Sequence, residues 1–426
     1  MADTADADTD TGRADTGGAD TGSDGLAGAA PSGPELRFPP QVPPGPDPAR
    51  EYVRLRERGS LARVRLPDGR PAWLASRYAD NHRLLADERI SRAAAAREGA
   101  PRVRGIALEA GSITTLDPPE HTRLRRLVAG EFTAHRMRRF RPRIAAIAGE
   151  LADAMAAAGP PADLVARYAA PLPIRVICVL LGVPEPDHDR FRSWADDYLG
   201  TTGTDPETVR RAAERLRGYF GSLVAARRAD PGDDLISALV TAREEDRLTE
   251  QELVALGVTL LVAGYQTAAG LIAGSVQTLL DRPGRLAELR ADPELMPAAV
   301  EELLRYVAVS ASGGTIRVAT GDLDLGGTRV RAGEAVLPAL TSANRDAAVF
   351  TDPDRLDLRR DPNPHLAFGH GAHRCLGAAL ARAELAVALG TLLERFPGLR
   401  HAEPGRPPEW RTGAMIRGPL ALPVAW

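Results

Sequence analysis

Phe368-Gly369-His370-Gly371-Ala372-His373-Arg374-Cys375-Leu376-Gly377 is the segment on which the reading of this chain turns. Its glycines let the backbone bend sharply and approach a flat object closely. The cysteine arrives at the start of a helix predicted from Leu376 to about Phe396. Unpaired amides and the positive end of that helix favour a thiolate. A thiolate is a strong electron-donating axial ligand for iron. Two plainer readings compete on these residues alone. One is a buried Cys beside a turn, which is what an isolated Cys near a Gly usually is. The other is a zinc site from His370, His373 and Cys375, which lacks a fourth ligand at normal spacing.

Outward from this loop, the chain reads as globular. It has 426 residues, 44% apolar and 26% charged, which excludes fibrous, collagen-like and wholly disordered classes. No apolar run approaches the roughly 18 residues of a membrane span. The N-terminus is acidic and carries neither a secretory nor a mitochondrial pattern, so the expected location is cytoplasmic, without a membrane. Cys178 and Cys375 are the two cysteines, too few for a disulfide scaffold. All 54 basic residues are Arg. Residues 1–34 hold seven Asp and one Arg, a charge of −6 that leaves +3 for the remainder. A body so near neutrality gives no support to nucleic-acid binding. The same 34 residues are Asp, Thr, Gly and Ala with nothing to form a core, and read as a disordered acidic tail. Residues 35–426 contain no linker or repeat and read as a single domain.

The body is patterned mainly as helix. Asp117-Pro118-Pro119-Glu120 predicts a helix start with Asp117 as N-cap. Thr249 and Glu252 form a capping box that opens a helix to about Asp281, stopped by Pro283. Its residues from Leu253 to Leu280 are apolar on nearly every side, which places it in the middle of the protein. Within it, Gln266 and Thr267 need a reason, because burying them unpaired costs free energy. Either the Thr267 hydroxyl bonds back to the Ala263 carbonyl or the pair serves chemistry. Strand-like pieces are short: 61–66 with 72–75, then 315–318 and 323–330. The fold class is mainly α with a small β region, an α+β arrangement. Glu302 and Arg305, three apart, share a helix face; alone, such a pair is an ordinary surface ion pair worth at most about 1 kcal/mol. His121 and Arg125, four apart, can clamp one anionic group, or simply stand solvated beside Arg123 and Arg126.

The run 368–377, with its Phe, glycines, basic residue, Cys and final Gly, resembles the haem-ligand signature of the cytochrome P-450 superfamily, the haem-thiolate monooxygenases of the soluble bacterial type. The resemblance covers residues 35–426 and implies the family's α-rich triangular-prism fold. It implies haem b (iron protoporphyrin IX), with Cys375 as axial iron ligand and Phe368 and Gly377 beside it. By the same resemblance His121, Arg125, Arg317 and His373 hold the haem propionates, and Ala263 and Gly264 make room over the haem. Thr267 steers protons to oxygen, with Gln266 next to it as the second catalytic candidate. Here the chain departs from the pattern, since the family's usual acid is Gln266, which cannot ionise. Glu302 and Arg305 match the family's Glu-x-x-Arg element, with Arg355 as the expected downstream partner. Val309, Ser310, Met415, Ile416 and parts of the loop 89–112 are expected to face substrate, with core packing as the competing reading.

The implied activity is oxidation of a small organic molecule, by hydroxylation or epoxidation, as a tailoring step in secondary-metabolite biosynthesis. O2 is co-substrate, and electrons come from NAD(P)H through a ferredoxin reductase and a ferredoxin. The ferredoxin would meet Arg123, Arg126 and Arg374 on the cysteine side of a monomer. Three alternatives stand beside it. One is a non-hydroxylating P-450 oxidase that couples rings or bonds, which Gln266 keeps open. The others are a catalytically silent P-450-like docking module and a haem-binding sensor.

Overall fold

The capping box at Thr249 does what its residues predict. The Glu252 amide donates to Thr249 Oγ1 at 3.2 Å and the Thr249 amide to Glu252 Oε2 at 2.9 Å, starting a 31-residue helix, Glu250–Leu280. In this computed structural model the described residues are 36–59, 61–103, 111–200, 204–244, 248–310, 314–411 and 416–426. The acidic segment 1–34 lies outside them. The helices that carry or surround the site are α1 (Tyr78–Ala86), α2 (Glu120–Ala129), α3 (Ala134–Ala158), α4 (Pro171–Leu181), α5 (His188–Leu199), α6 (Pro206–Ala229), α7 (Glu250–Leu280), α8 (Met296–Tyr306) and α9 (Ala378–Arg395).

Helix α7 is long and apolar enough to cross a membrane by length and composition, which the sequence reading did not anticipate. Its apolar faces are instead covered by α4, α6 and α9 in one large core. Leu253, Leu261, Ile272 and Leu279 are almost wholly buried there. Each such side chain stabilises the fold by about 1.5–3 kcal/mol.

The small β region is a six-stranded sheet in the order β1 (Leu36–Arg37), β2 (Leu61–Arg65), β3 (Pro71–Ala75), β6 (Ala335–Pro338), β5 (Arg317–Ala319), β4 (Ile90–Ser91). Gly69, at φ 82°, makes the turn between β2 and β3 that Pro67-Asp68-Gly69 predicts. Strands β4 and β5 are antiparallel, with Ser91 opposite Val318. This register matters for the site, because it sets Arg92 beside Arg317.

One helix start differs from expectation. α2 begins at Glu120 without a side-chain cap. Pro119, at the second position after Asp117, has no N–H to offer a cap. The Asp117 carboxylate turns away to Ser91 Oγ and to the backbone N–H groups of Arg92 (2.8 Å) and Ala93 (3.4 Å), tying the end of β4 to the start of α2.

Candidate active site

The cysteine loop is built around two glycines in the left-handed region, Gly369 at φ 69° and Gly371 at φ 71°. A Cβ on Gly371 would also collide with the Leu85 carbonyl of α1, so both backbone and packing demand glycine there. The Phe368 carbonyl accepts from the Cys375 amide at 2.8 Å, closing the loop. Cys375 is delivered three residues before α9 and is exposed. Burial within the surrounding protein pushes its thiol up, while the Gly377 N–H and the guanidiniums of Arg125, Arg374 and Arg382 pull it down. An iron ligated here would deprotonate the thiol outright. A Cβ on Gly377 would meet no protein atom within 4 Å, so protein packing does not explain that glycine.

Beneath the loop, Arg382 of α9 lies over the Phe368 ring at 4.6 Å and forks onto Glu301 at 2.6 and 2.7 Å. His365 reaches the same carboxylate at 3.0 Å. Against the opposing effect of burial, these hydrogen bonds hold Glu301 down to about 2. The support from Glu301, His365 and Arg382 was not read from sequence, because its three members come from three elements.

A cluster of cationic and imidazole groups lies beside the cysteine. His121 of α2 and His373 face each other with ring centroids 4.1 Å apart. His121 Nδ1, His373 Nε2 and Arg92 Nε are buried without a hydrogen-bond partner. Burial and neighbouring cations push His373 down to about 2, Arg317 to about 9 and Arg92, by burial, to about 10. What the cluster lacks is anions, since among the described residues Asp117 is the one carboxylate offsetting Arg92 and Arg317. Two carboxylates on the rim of a flat macrocycle fit that need, which is the test the implied haem has to pass. Arg125 donates to the Arg374 carbonyl at 2.7 Å and so braces the cysteine loop as well. Arg92 was missed in the sequence; only the β4–β5 register brings it here. A cleft of about 1510 Å³ reaches this cluster, lined by Asp117, Thr122, Arg123, Arg126, Arg317 and His373 among others.

On α7, Ala263 is exposed between buried Leu261 and Tyr265, which marks the groove. The Thr267 hydroxyl donates to the Ala263 carbonyl at 2.8 Å. Gly264 is partly exposed and has a packing role as well. A Cβ there would press on Ile177 of α4 at 3.3 Å, so this glycine lets two helices close together. Gln266 does not stand free. It is buried, and its Nε2 donates to Asp196 Oδ1 of α5 at 2.8 Å. Two turns before Gln266, Thr259 shares a hydroxyl contact of 3.2 Å with Ser112, which touches Thr114 at 3.1 Å.

Glu302 and Arg305 form no surface pair: both side chains are 0% exposed, with bonds of 2.8 Å. The expected partner Arg355 is corrected to Arg360, whose Nε reaches Glu302 Oε2 at 3.1 Å. Arg355 contributes only its carbonyl, to Arg305 at 3.3 Å, and its side chain is exposed. The chain meets Arg305 first, through the Pro353 carbonyl at 2.8 Å, and Glu302 further on, where the Asp357 amide (2.8 Å) and Asn363 (3.2 Å) also bind the carboxylate.

Of the expected substrate residues, Ser310 pairs with Ile416 in an antiparallel bridge, and the Val309 carbonyl accepts from the Arg417 amide at 2.8 Å. Met415 lies outside the described residues. The zinc reading finds no support: His370 stacks on His82 at 3.8 Å while His373 faces His121. Among the described residues no group of three metal-ligating side chains converges.

Comparison with known proteins agrees with this geometry. Residues 201–419 match the family model for cytochrome P450. The chain is 53% identical to nocardicin C N-oxygenase of Nocardia uniformis subsp. tsuyamanensis, covering 88% of this chain and 94% of that protein. It is 49% identical to mycinamicin IV hydroxylase/epoxidase of Micromonospora griseorubida, with coverages of 89% and 95%. The crystal structure of the LnmA cytochrome P450 hydroxylase from the leinamycin pathway of Streptomyces atroolivaceus superimposes with a TM-score of 0.85 at 48% identity, covering 92% of this chain and 100% of that one. Such identity over nearly the whole length of both partners, with a cysteine loop and carboxylate-seeking cluster already in place, has one explanation: the chain belongs to the cytochrome P450 family of oxidoreductases.

Proposed function

We propose that this cytochrome P450 holds haem b and oxidises a small organic molecule in a tailoring step of secondary metabolism. The observation that carries the proposal is the set of buried, unpartnered nitrogens on His121, His373 and Arg92 beside Cys375. Bound haem supplies the activation of O2 at its iron, and the protein supplies ligand, orientation and polarity. Cys375 Sγ would be the axial ligand. His121, Arg125, Arg317 and His373, joined by Arg92, would hold the two carboxylates. Exposed Ala263 would leave space for oxygen. The Thr267 hydroxyl, bonded to the Ala263 carbonyl, has lone pairs free to accept from a groove donor and can release its own proton in exchange.

Electrons would come from NAD(P)H through a ferredoxin reductase and a ferredoxin, with the protein acting as a cytoplasmic monomer. The ferredoxin would dock on the cysteine side, where Arg126 and Arg374 are exposed. Arg123 contributes less there, because Glu252 at the start of α7 already pairs with it. Val309, Ser310 and Ile416 would touch substrate. Hydroxylation or epoxidation is the first reading of the reaction. Nitrogen oxidation is the second, favoured by the 53% identity to a protein named as an N-oxygenase.

The test is spectroscopic. Reduced protein with carbon monoxide should show the strongly red-shifted Soret band of thiolate ligation, and Cys375→His should lose it. Titration against a metabolite library should then find compounds that displace iron-bound water and are oxidised with a ferredoxin system. A histidine-type spectrum in the wild type would sink the assignment.

A further inference from the structure

Residues 43–47, Pro-Pro-Gly-Pro-Asp, hold three prolines, which have carbonyls to satisfy and no N–H with which to build a ladder. One side chain meets most of that demand. Arg417 is buried, and its Nη2 donates to the Pro43 and Gly45 carbonyls, both at 2.8 Å. Its Nη1 donates to the Asp47 carbonyl at 2.9 Å and, from a distant part of the chain, to the Ala308 carbonyl at 3.0 Å. The Ala308 amide in turn donates to the Pro46 carbonyl at 2.9 Å. These four acceptors are all backbone atoms, so the guanidinium fixes main chain rather than rotamers. Burial pulls Arg417 down to about 10, which leaves it cationic at neutral pH. A planar fork with five donors can serve four carbonyls at once, whereas a Lys ammonium has three donors on one nitrogen.

The backbone of the same residue lies on the groove helix. The Arg417 amide holds the Val309 carbonyl at 2.8 Å, and Ile416 bridges Ser310. A Cβ on Gly270 of α7 would collide with the Arg417 carbonyl and stand 3.7 Å from Ile416 Cγ2. A Cβ on Gly418 would stand 3.1 Å from Gly270 Cα. Residues 416–418 therefore rest directly on α7. Gly270 follows Thr267 by three residues, which puts the two on one side of the helix. Ile416 and Val309 are half-buried, so each keeps side-chain surface for a ligand.

We infer that Arg417 is a positioning residue for substrate specificity: by gathering the carbonyls of residues 43–47 and Ala308 on one buried fork, it fixes residues 416–418 against α7 and so the places of Ile416 and Val309 near the Thr267 end of the groove. This rests on the reading above that Val309 and Ile416 touch substrate. Arg417 touches no substrate itself. The wall it holds is apolar, so it selects for an apolar part of the substrate. Without the fork, residues 416–418 lift from α7 and that contact weakens, while the iron side of the site is unaffected.

The experiment titrates haem-loaded protein with two ligands whose nitrogen binds the iron, imidazole and clotrimazole, and reads each Kd from the Soret shift. Imidazole stays close to the iron, whereas the three aryl rings of clotrimazole spread through the groove. Arg417→Lys should weaken clotrimazole about tenfold, the size of one lost apolar side-chain contact. Imidazole binding and the carbon monoxide spectrum should stay as in the wild type. Gly270→Ala keeps Arg417 but wedges a methyl under its carbonyl, and should shift the ratio of the two Kd values in the same direction. Ile416→Ala should weaken clotrimazole in the wild type and add little in Arg417→Lys, where the contact is already lost. A wild-type ratio in Arg417→Lys would overturn the inference even if the variant melts earlier, since a purely structural arginine changes stability and not the ratio. Strict additivity of Arg417→Lys and Ile416→Ala would overturn it too. If Arg417→Lys does not fold, Gly270→Ala decides by the same ratio. Unchanged clotrimazole binding in Ile416→Ala would instead refute the substrate-contact reading and the inference with it, and a histidine-type carbon monoxide spectrum would refute the haem-thiolate reading.

Discussion

His121 and His373 lie ring to ring, 4.1 Å between centroids, with a buried nitrogen on each that no protein group satisfies. Two imidazoles, Arg92 and Arg317 gathered in one place repel one another when charged, and the buried nitrogens of His121, His373 and Arg92 go without hydrogen bonds. An anionic partner removes both penalties. A hydrogen bond to a charged group contributes about 1.5–3 kcal/mol. Arg92→Ala and Arg317→Ala should each therefore speed haem loss about ten- to a hundredfold, measured as transfer to apomyoglobin. Equal transfer rates in wild type and variants would place the haem carboxylates elsewhere.

The same cluster gives the haem-free protein an acid sensitivity. His373 sits at about 2 in the fold, against 6.5 as its ordinary value, through burial, Arg92, His121, Arg317 and Arg125. Between those values the unfolded chain binds a proton that the folded chain refuses, so stability rises with pH across that window and falls on acidification. Haem-free protein should lose melting temperature from pH 7 to pH 5. His373→Gln should flatten that slope, and haem loading should reduce it by supplying counter-charges. An unchanged slope in His373→Gln would show that another group dominates.

Glu302 is held by Arg305, Arg360, Asn363 and the Asp357 amide with no exposure to water. Removing one member of a buried ion pair costs about 3–5 kcal/mol, because the other charge stays behind unpaired. Glu302→Ala should fall in that range by denaturant unfolding, and Arg360→Ala should also be strongly destabilised. Arg355→Ala, which keeps the carbonyl that contacts Arg305, should stay within about 0.5 kcal/mol of wild type. Equal losses at positions 355 and 360 would contradict the assignment of Arg360.

Thr267→Ala should divert reducing equivalents to hydrogen peroxide, read as product formed per NAD(P)H consumed, while Thr267→Ser stays coupled. Full coupling in Thr267→Ala would reduce the residue to its bond with the Ala263 carbonyl. From sequence alone, Gln266→Glu is expected to leave turnover intact or faster. With Asp196 facing position 266 at 2.8 Å, the expected outcome becomes impaired coupling, relieved by Asp196→Asn.

Features legible in the sequence share a short range. The capping box at Thr249 and Glu252, the i,i+3 pair Glu302–Arg305, the i,i+4 pair His121–Arg125 and the glycine loop before Cys375 each involve residues within a few positions. Their geometry follows from local backbone periodicity. The run 368–377 is of this kind, and it was enough to indicate the family and the iron ligand. Tertiary structure decided the rest. Asp117 forsakes its helix for β4 because the sheet edge offers it three donors. Arg92 enters the site through the β4–β5 register. Arg360 rather than Arg355 reaches Glu302 because the Arg355 backbone carbonyl faces Arg305 while its side chain lies in solvent. Gly264 packs on Ile177, and Gln266 meets Asp196, because α7 runs against α4 and α5. A side chain's partner is fixed by which elements pack together, and that depends on burial summed over the whole core, which a window of a few residues does not contain.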